Sequence, residues 1–336
     1  MTIGPSSGGN RLDVTAPDGL PEITPGSDLA SLITEALVLA DGDIVVVTSK
    51  VVSKAEGRVR SGDRDDALAE ETRRVVARRG PTTIVRTRLG LTMAAAGIDA
   101  SNVEAGSIVL LPLDPDASAR ALRARLHDLT GTRVGVIVTD TAGRAWRDGQ
   151  TDIAVGAAGL RVAEDYAGQV DAHGNDLVVT LPAVADEIAG AADLVQGKLS
   201  GRPVAVVRGR GDLVLPIDDD GAGAASLIRP EGADLFGYGA REAVIRALAG
   251  HEADRSPFGA SVEVSELVEA VGRVHATGRI GTVALDGEGP AAYDLEISGR
   301  PERVVVEAVC FAHGWRVLDW RAGESGVSTR VVAATP

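Results

Sequence analysis

The run Val136-Ile137-Val138-Thr139-Asp140-Thr141 ends a wholly apolar stretch in a carboxylate flanked by two hydroxyls, and a glycine-punctuated loop with Gly143, Arg144, Trp146, Arg147, Gln150 and Asp152 is expected to follow. Side chains at the carboxyl end of a buried strand converge on a crevice where ligands commonly sit. Asp140 could hold a cation there, and Arg144 or Arg147 could clamp a carboxylate or phosphate. The competing reading makes Asp140 a cap and pairs the arginines with surface acids. A second cluster, Asp99, Ser101 and Asn102, offers hard oxygen donors suited to Mg²⁺ or Mn²⁺, although an Asx turn would use the same residues. The hypothesis that joins the clusters is that Asp99 and Asp140 share one cation.

Thr48-Ser49-Lys50-Val51-Val52-Ser53-Lys54-Ala55-Glu56-Gly57 sets two Ser/Lys pairs after another apolar run, so hydroxyls, ammonium groups and backbone amides could surround phosphate oxygens. Surface lysines beside a turn are the alternative. Gln196-Gly197-Lys198-Leu199-Ser200-Gly201-Arg202-Pro203 has the look of a phosphate loop but is no Walker A motif, because Leu199 stands where Ser or Thr is required. Gly209-Arg210-Gly211 lacks the third glycine of a dinucleotide fingerprint. No nucleophile elbow occurs, and the five histidines are scattered without metal-ligand spacing. Catalysis through a protein nucleophile is therefore not indicated.

Composition narrows the classes further. The 336 residues are 44% hydrophobic and 24% charged, as in a globular protein, with no approach to the roughly 20 apolar residues of a bilayer span. A formal charge of −14 argues against general nucleic-acid binding, which needs clustered cations. One cysteine, Cys310, allows no internal disulfide and reads as buried and inert; with no secretory start, the expected location is the cytoplasm.

The elements that must position these residues alternate. Helical spacing over residues 28–40 leads to the β-branched strand Ile44 to Val47, and a helix over 64–79 leads to Thr83-Ile84-Val85. Strands are expected at Ser107 to Leu113, Val134 to Val138, Leu177 to Thr180 and Val204 to Val207, with helices over 117–129 and 182–194. This is a mixed α/β (α+β) fold. The expected organisation is a flexible tail at 1–10, a main domain at 11–245 and a small α+β domain at 258–336. The last carries a helix over 262–276 and strands at Gly281 to Leu285, Ala291 to Ser298 and Val304 to Val309.

In order along the chain, Leu20-Pro21-Glu22-Ile23, Thr48 to Gly57, Ala96-Gly97-Ile98-Asp99-Ala100-Ser101-Asn102 and Thr139 to Asp152 resemble the coenzyme F420-0:L-glutamate ligases, over about residues 10–240. The resemblance implies an unusual α/β ligase fold, a homodimer, and GTP-dependent attachment of L-glutamate to coenzyme F420-0 through an acyl phosphate. It implies GTP contacts from Leu20, Pro21, Glu22, Ile23, Ser49, Lys50, Lys54 and Asn102, and from the loop Gln196, Gly197, Lys198, Leu199, Ser200, Gly201, Arg202, Pro203. Two divalent cations, Mg²⁺ or Mn²⁺, are implied, the first on Asp99 and Asp140 and the second touching Thr141, with K⁺ assisting. Lys198 departs from the acid or amide expected near the second cation. Asp140, Lys54 as a phosphate ligand and Arg144 as an anion clamp are the expected catalytic groups. The C-terminal segment does not resemble the flavin-binding, nitroreductase-type domain of two-domain relatives. Rival readings are a ligase of another phosphorylated acid and a non-catalytic nucleotide-binding protein.

Overall fold

A computed structural model describes residues 11–101, 103–104, 106–275, 279–285 and 289–334, so the expected tail at 1–10 and Asn102 lie outside the described residues. The chain forms two compact units, Met1–Arg74 with Ile84–Ile228, and Val75–Thr83 with Arg229–Pro336. Helices and sheets are mixed throughout, as the alternating pattern requires.

From the amino end the elements are β1 (Asp13–Thr15), α1 (Leu29–Ala36), β2 (Ile44–Thr48), α2 (Ser49–Ala55), β3 (Val59–Ser61), α3 (Arg64–Glu71), β4 (Thr72–Arg79), β5 (Thr82–Thr87), β6 (Thr92–Ala94) and β7 (Ser107–Val109). Then come α4 (Pro115–Thr130), β8 (Gly135–Arg144), β9 (Arg147–Ala158), β10 (Gln169–Val170), β11 (Asp176–Leu177), α5 (Val184–Gln196) and β12 (Val204–Arg208). The central sheet has the order β1-β12-β2-β8-β9. Within this sheet only β2 and β8 run parallel, with Val47 beside Val138 and Thr48 beside Thr139, where β2 ends and their pairing stops.

β2 and β8 are buried on both faces, which explains why their sequences are unbroken apolar runs instead of alternating ones. One face places Val45, Val47, Val136 and Val138 against Ile33 of α1 and Leu122 and Leu126 of α4. The other places Ile44, Val46 and Ile137 against Ala185, Ile188 and Ala192 of α5. Helix α4 is well delimited: Asp114 accepts from the Ala117 amide, Pro115 opens the helix, and Gly131 closes it with φ +70°. Arg123 of α4, 1% exposed, donates to the carbonyls of Val134, Leu215, Pro216, Ile217 and Asp219 and to the Asp220 carboxylate.

The polar stretch after Val138 is not a loop. β8 continues to Arg144 and pairs antiparallel with β9, because residues on both sides keep extended conformations until the tip at Ala145 and Trp146. A bulge interrupts this ladder: Val138 faces Gly156 while Thr139 faces Ala154, leaving Val155 without a counterpart. Its consequence shows in the packing. Val155 and Ala158 lie in the α4-side core, whereas Ala154 and Ala157 lie in the α5-side core, so the alternation of faces is reset across the extra residue.

Two other expectations are corrected. The helix expected over 64–79 stops at Glu71, where Thr72 and the following Val75-Val76 favour an extended chain. In the second unit the strand expected at Val304 to Val309 is helical, since a short apolar run alone does not separate a strand from a buried helix. There α6 (Ala240–Ala249), α7 (Val264–Val274), β13 (Ile280–Leu285), β14 (Ala292–Ser298), α8 (Arg303–Ala312), β15 (Trp315–Val317), β16 (Arg321–Ala322) and β17 (Gly326–Ala333) surround one core. Val306 and Cys310 of α8 pack with Leu267 and Val271 of α7 against Leu295 and Ile297 of β14. Burial pushes the Cys310 thiol up to about 12, so it is protonated and inert. Among the described residues no helix is long and apolar enough to cross a membrane.

Candidate active site

β2 passes directly into α2, so Ser49 and Lys50 emerge at the strand's carboxyl end and Lys54 follows one turn later. β8 pairs with β2 as far as Thr139 and, running on beyond it, brings Thr139, Asp140 and Thr141 alongside. These residues open onto a pocket of about 440 Å³ in the first unit, within the range of small-molecule sites. Its walls include Leu20, Pro21, Glu22, Ile23, Ser49, Lys50, Lys54, Asp99, Asp140 and Thr141, and also Gln196, Gly197, Lys198, Leu199, Gly201, Arg202 and Pro203. Ser200 is not in the lining and its hydroxyl turns back to the Gln196 and Gly197 carbonyls. Arg144 stands at the hairpin tip, four strand residues or roughly 13 Å beyond Asp140, and donates to the Asp148 carbonyl at 2.6 Å.

Alternation along β8 divides the polar groups between its two faces. Asp140 shares the side of Val136 and Val138, where Ser49 Oγ donates to its Oδ1 at 3.0 Å. Thr139 and Thr141 point to the α5 side and donate to Asp152 Oδ2 and Oδ1, each at 2.9 Å. Asp152 is 4% exposed and faces the threonines only because of the bulge at Val155. Thr139, Asp152 and Asp193, also in the wall, carried no role in the sequence reading. Counting strand partners back from the hairpin tip places Asp152 opposite Thr141 only once the register shift between Gly143 and Arg144 is known.

The electrostatics are those of a crowded acidic floor ringed by cations. Burial drives the Asp140 carboxyl up to about 7, against the Ser49 hydrogen bond and with help from the negative charges of Asp152 and Asp99. Burial also works to raise Asp99, but donation from Lys50 and Ser101 outweighs it and holds that carboxyl below its ordinary range. Lys50 Nζ lies 2.5 Å from Asp99 Oδ2 and 2.6 Å from Ser101 Oγ. Lys54, 7% exposed, pairs with Glu22. Burial and repulsion from Asp152 raise Asp193, against the pull of Lys198, whose Nζ donates to Thr141 Oγ1 at 3.3 Å.

Two observations test whether ligands fit. Gln196 is 3% exposed, lines the pocket, and neither atom of its amide meets a hydrogen-bond partner among the described residues. Each such orphan costs about 1–3 kcal/mol unless something in the pocket satisfies it. No three His, Cys, Asp or Glu side chains converge as a metal cage among the described residues. Asp99 and Asp140, both in the pocket wall, are hard oxygen donors of the kind Mg²⁺ takes through one or two carboxylates, with water and phosphate oxygens completing its shell, but the Lys50 ammonium already pairs with Asp99. Thr141 is the weaker donor, a neutral hydroxyl on which the Lys198 ammonium likewise stands.

Asp140 on β8, Lys50 and Lys54 on α2, Asp99 on its bridge to Val109 and the Gln196 amide at the end of α5 thus reach one pocket from four parts of the first unit. The family model for F420-0:γ-glutamyl ligase matches residues 19–67 and 64–209, more than half of the chain, and the chain belongs to that family. It is similar to the coenzyme F420:L-glutamate ligase of Archaeoglobus fulgidus, 43% identical over 59% of this chain and 88% of the relative. The protein of the same name from Methanopyrus kandleri is 41% identical over 56% of this chain and 83% of its own length, and that of Haloarcula marismortui 37% over 69% and 98%. The family match ends at residue 209, short of the second unit's C-terminal part from Arg229.

Proposed function

We propose that the protein attaches L-glutamate to coenzyme F420-0 with GTP as the phosphoryl donor, releasing GDP and phosphate. The observation that carries this reading is the pocket itself, in which Asp99 and Asp140 lie beside Lys50, Lys54 and the unsatisfied Gln196 amide in a chain of this family. A carboxylate and an amine do not condense unaided in water. One oxygen of the substrate carboxylate attacks the γ-phosphorus and the bond to the β-phosphate oxygen breaks, giving an acyl phosphate and GDP. The glutamate amine then attacks the acyl carbon, the carbon–oxygen bond to phosphate breaks, and the amine's proton is lost.

The residues supply placement and charge in place of a covalent intermediate. Lys54, rigid at the end of α2, presents an ammonium to phosphate oxygens once Glu22 yields it. Lys50 orients Asp99, Ser49 orients Asp140, and Asp152 fixes both threonine hydroxyls. A divalent cation, Mg²⁺ or Mn²⁺, held by Asp99 and Asp140 would spread the charge of the transferring phosphoryl group. A second cation would have to displace Lys198 from Thr141. We further propose a homodimer and a K⁺ requirement, on the family resemblance alone.

The test is direct. Protein incubated with F420-0, GTP, Mg²⁺ and L-glutamate should yield the glutamyl adduct by mass spectrometry together with GDP, and ATP should not replace GTP. Nucleotide binding without any adduct would leave a nucleotide-binding protein and remove the ligase reading.

A further inference from the structure

Thr139 and Thr141 both give their hydroxyl protons to Asp152, at 2.9 Å each, and Asp152 is 4% exposed. Each carboxylate oxygen is thereby engaged by one threonine, and the Thr141 oxygen has only lone pairs left to offer. It can accept from a cation and cannot donate to a phosphate. The Lys198 ammonium is what it accepts from, at 3.3 Å. Hydrogen bonding thus prepares a cation site on the α5 side of β8, and a residue of the chain itself fills it.

The end of α5 sets the position of Lys198. Gly197 caps that helix with φ at +61°, which glycine adopts without strain, and its amide donates to the Asp193 carbonyl. Lys198 then reaches across to a strand residue 57 positions away, with Asp193 beside it in the pocket wall. Its charge pulls the Asp193 carboxyl down against burial and the repulsion of Asp152, so one ammonium serves both the hydroxyl and the neighbouring acid.

A divalent ion would meet this site badly. Bound to the Thr141 oxygen, it would stand less than about 6 Å from the ammonium, where like charges act strongly on each other. It would also give up water for a single neutral donor. Lys50 on Asp99 is a different case. That ammonium also holds Ser101 Oγ at 2.6 Å, and among the described residues no ammonium pairs with Asp140, so the two carboxylates can face one ion while Lys50 keeps the hydroxyl.

We infer that the Lys198 ammonium takes the place of a second divalent cation, so that the pocket holds one such ion with the nucleotide and Lys198 supplies the remaining positive charge to its phosphates. This assignment rests on the proposed ligase reading and departs from the two cations that the family resemblance implies. Thr141 and Asp152 are positioning residues for the lysine.

Counting Mn²⁺ by equilibrium dialysis of the metal-stripped, full-length protein with β,γ-imido-GTP tests it. Lys198 is exposed, so its variants should fold as wild type does. Wild type and Lys198→Arg should each bind one Mn²⁺ per chain. Lys198→Glu, which sets an acid beside Thr141 and Asp193, should bind two, the second at least about tenfold more tightly than wild type does. In kinetics at limiting Mn²⁺, Lys198→Ala should raise KM for GTP about tenfold or more, as loss of a charge-assisted bond to phosphate does, and excess Mn²⁺ should restore it. Two ions in wild type with the affinities of Lys198→Glu, one ion in every variant, or a KM for GTP that Lys198→Ala leaves unchanged would each overturn the assignment. If wild type forms no glutamyl adduct, the ligase reading fails, and the Mn²⁺ counts, which need no turnover and are repeated without nucleotide, still decide whether the lysine stands in for an ion.

Discussion

Ser49 Oγ donates to Asp140 Oδ1 at 3.0 Å, joining residues separated by 91 positions. The bond is possible because β2 and β8 run parallel with Thr48 beside Thr139, so the first residue of α2 meets the next residue of the neighbouring strand, Asp140.

Asp140 should make the metal-free protein less stable as pH rises. An ordinary carboxylate titrates near about 3.9 in the unfolded chain, while burial lifts Asp140 to about 7 in the folded one. Between those values the folded state holds the extra proton, so stability is greatest below the lower pKa and is lost as pH climbs through the higher. Melting temperatures in EDTA from pH 5 to pH 8 should fall for wild type and fall less for Asp140→Asn. Parallel profiles for the two proteins would rule the assignment out.

Lys54→Ala should cripple the use of nucleotide. A charge-assisted hydrogen bond to phosphate is worth about 1.5–3 kcal/mol, so kcat/KM for GTP should drop by about tenfold to more than a hundredfold. Lys54→Arg should recover part of it. Full activity of the alanine variant would remove Lys54 from the site.

Lys198→Ala should open the hydroxyl of Thr141 to a cation. Counting Mn²⁺ by electron paramagnetic resonance in the presence of a non-hydrolysable GTP analogue should show tighter uptake of a second ion than in wild type. Equal stoichiometry and affinity would show that the ammonium does not compete there.

Arg123→Met should destabilise the first unit by about 3–5 kcal/mol, because the loop carbonyls and Asp220 it serves lose a buried cation at once. Chemical denaturation measures this. Activity below the melting transition should survive, since Arg123 does not line the pocket.

Much of this arrangement was legible in the sequence. The apolar runs ending at Thr48 and Thr139 announced buried strands that deliver polar residues to a crevice, and the acidic, lysine and glycine-rich segments pointed to the same pocket. What stayed hidden depends on pairing between strands. Gly143, Gly149 and the charged residues around them read as a loop, but cross-strand bonding holds them as a hairpin, which carries Arg144 away from Asp140. Asp152 escaped notice because its facing depends on one unpaired residue, a matter of register that composition does not encode. In the second unit, three consecutive valines at 304–306 favoured a strand by propensity, and packing of Val306 and Cys310 on α7 decided for a helix.

The unmatched Val155 also constrains how this hairpin can drift among descendants of one ancestor. Removing a single residue on the Asp152 side would swing that carboxylate to Asp140's face, leaving two threonine hydroxyls without their acceptor and setting two acids against each other. Viable length changes in this arm should therefore come in balanced pairs near its end, where nothing on either flank has to change sides.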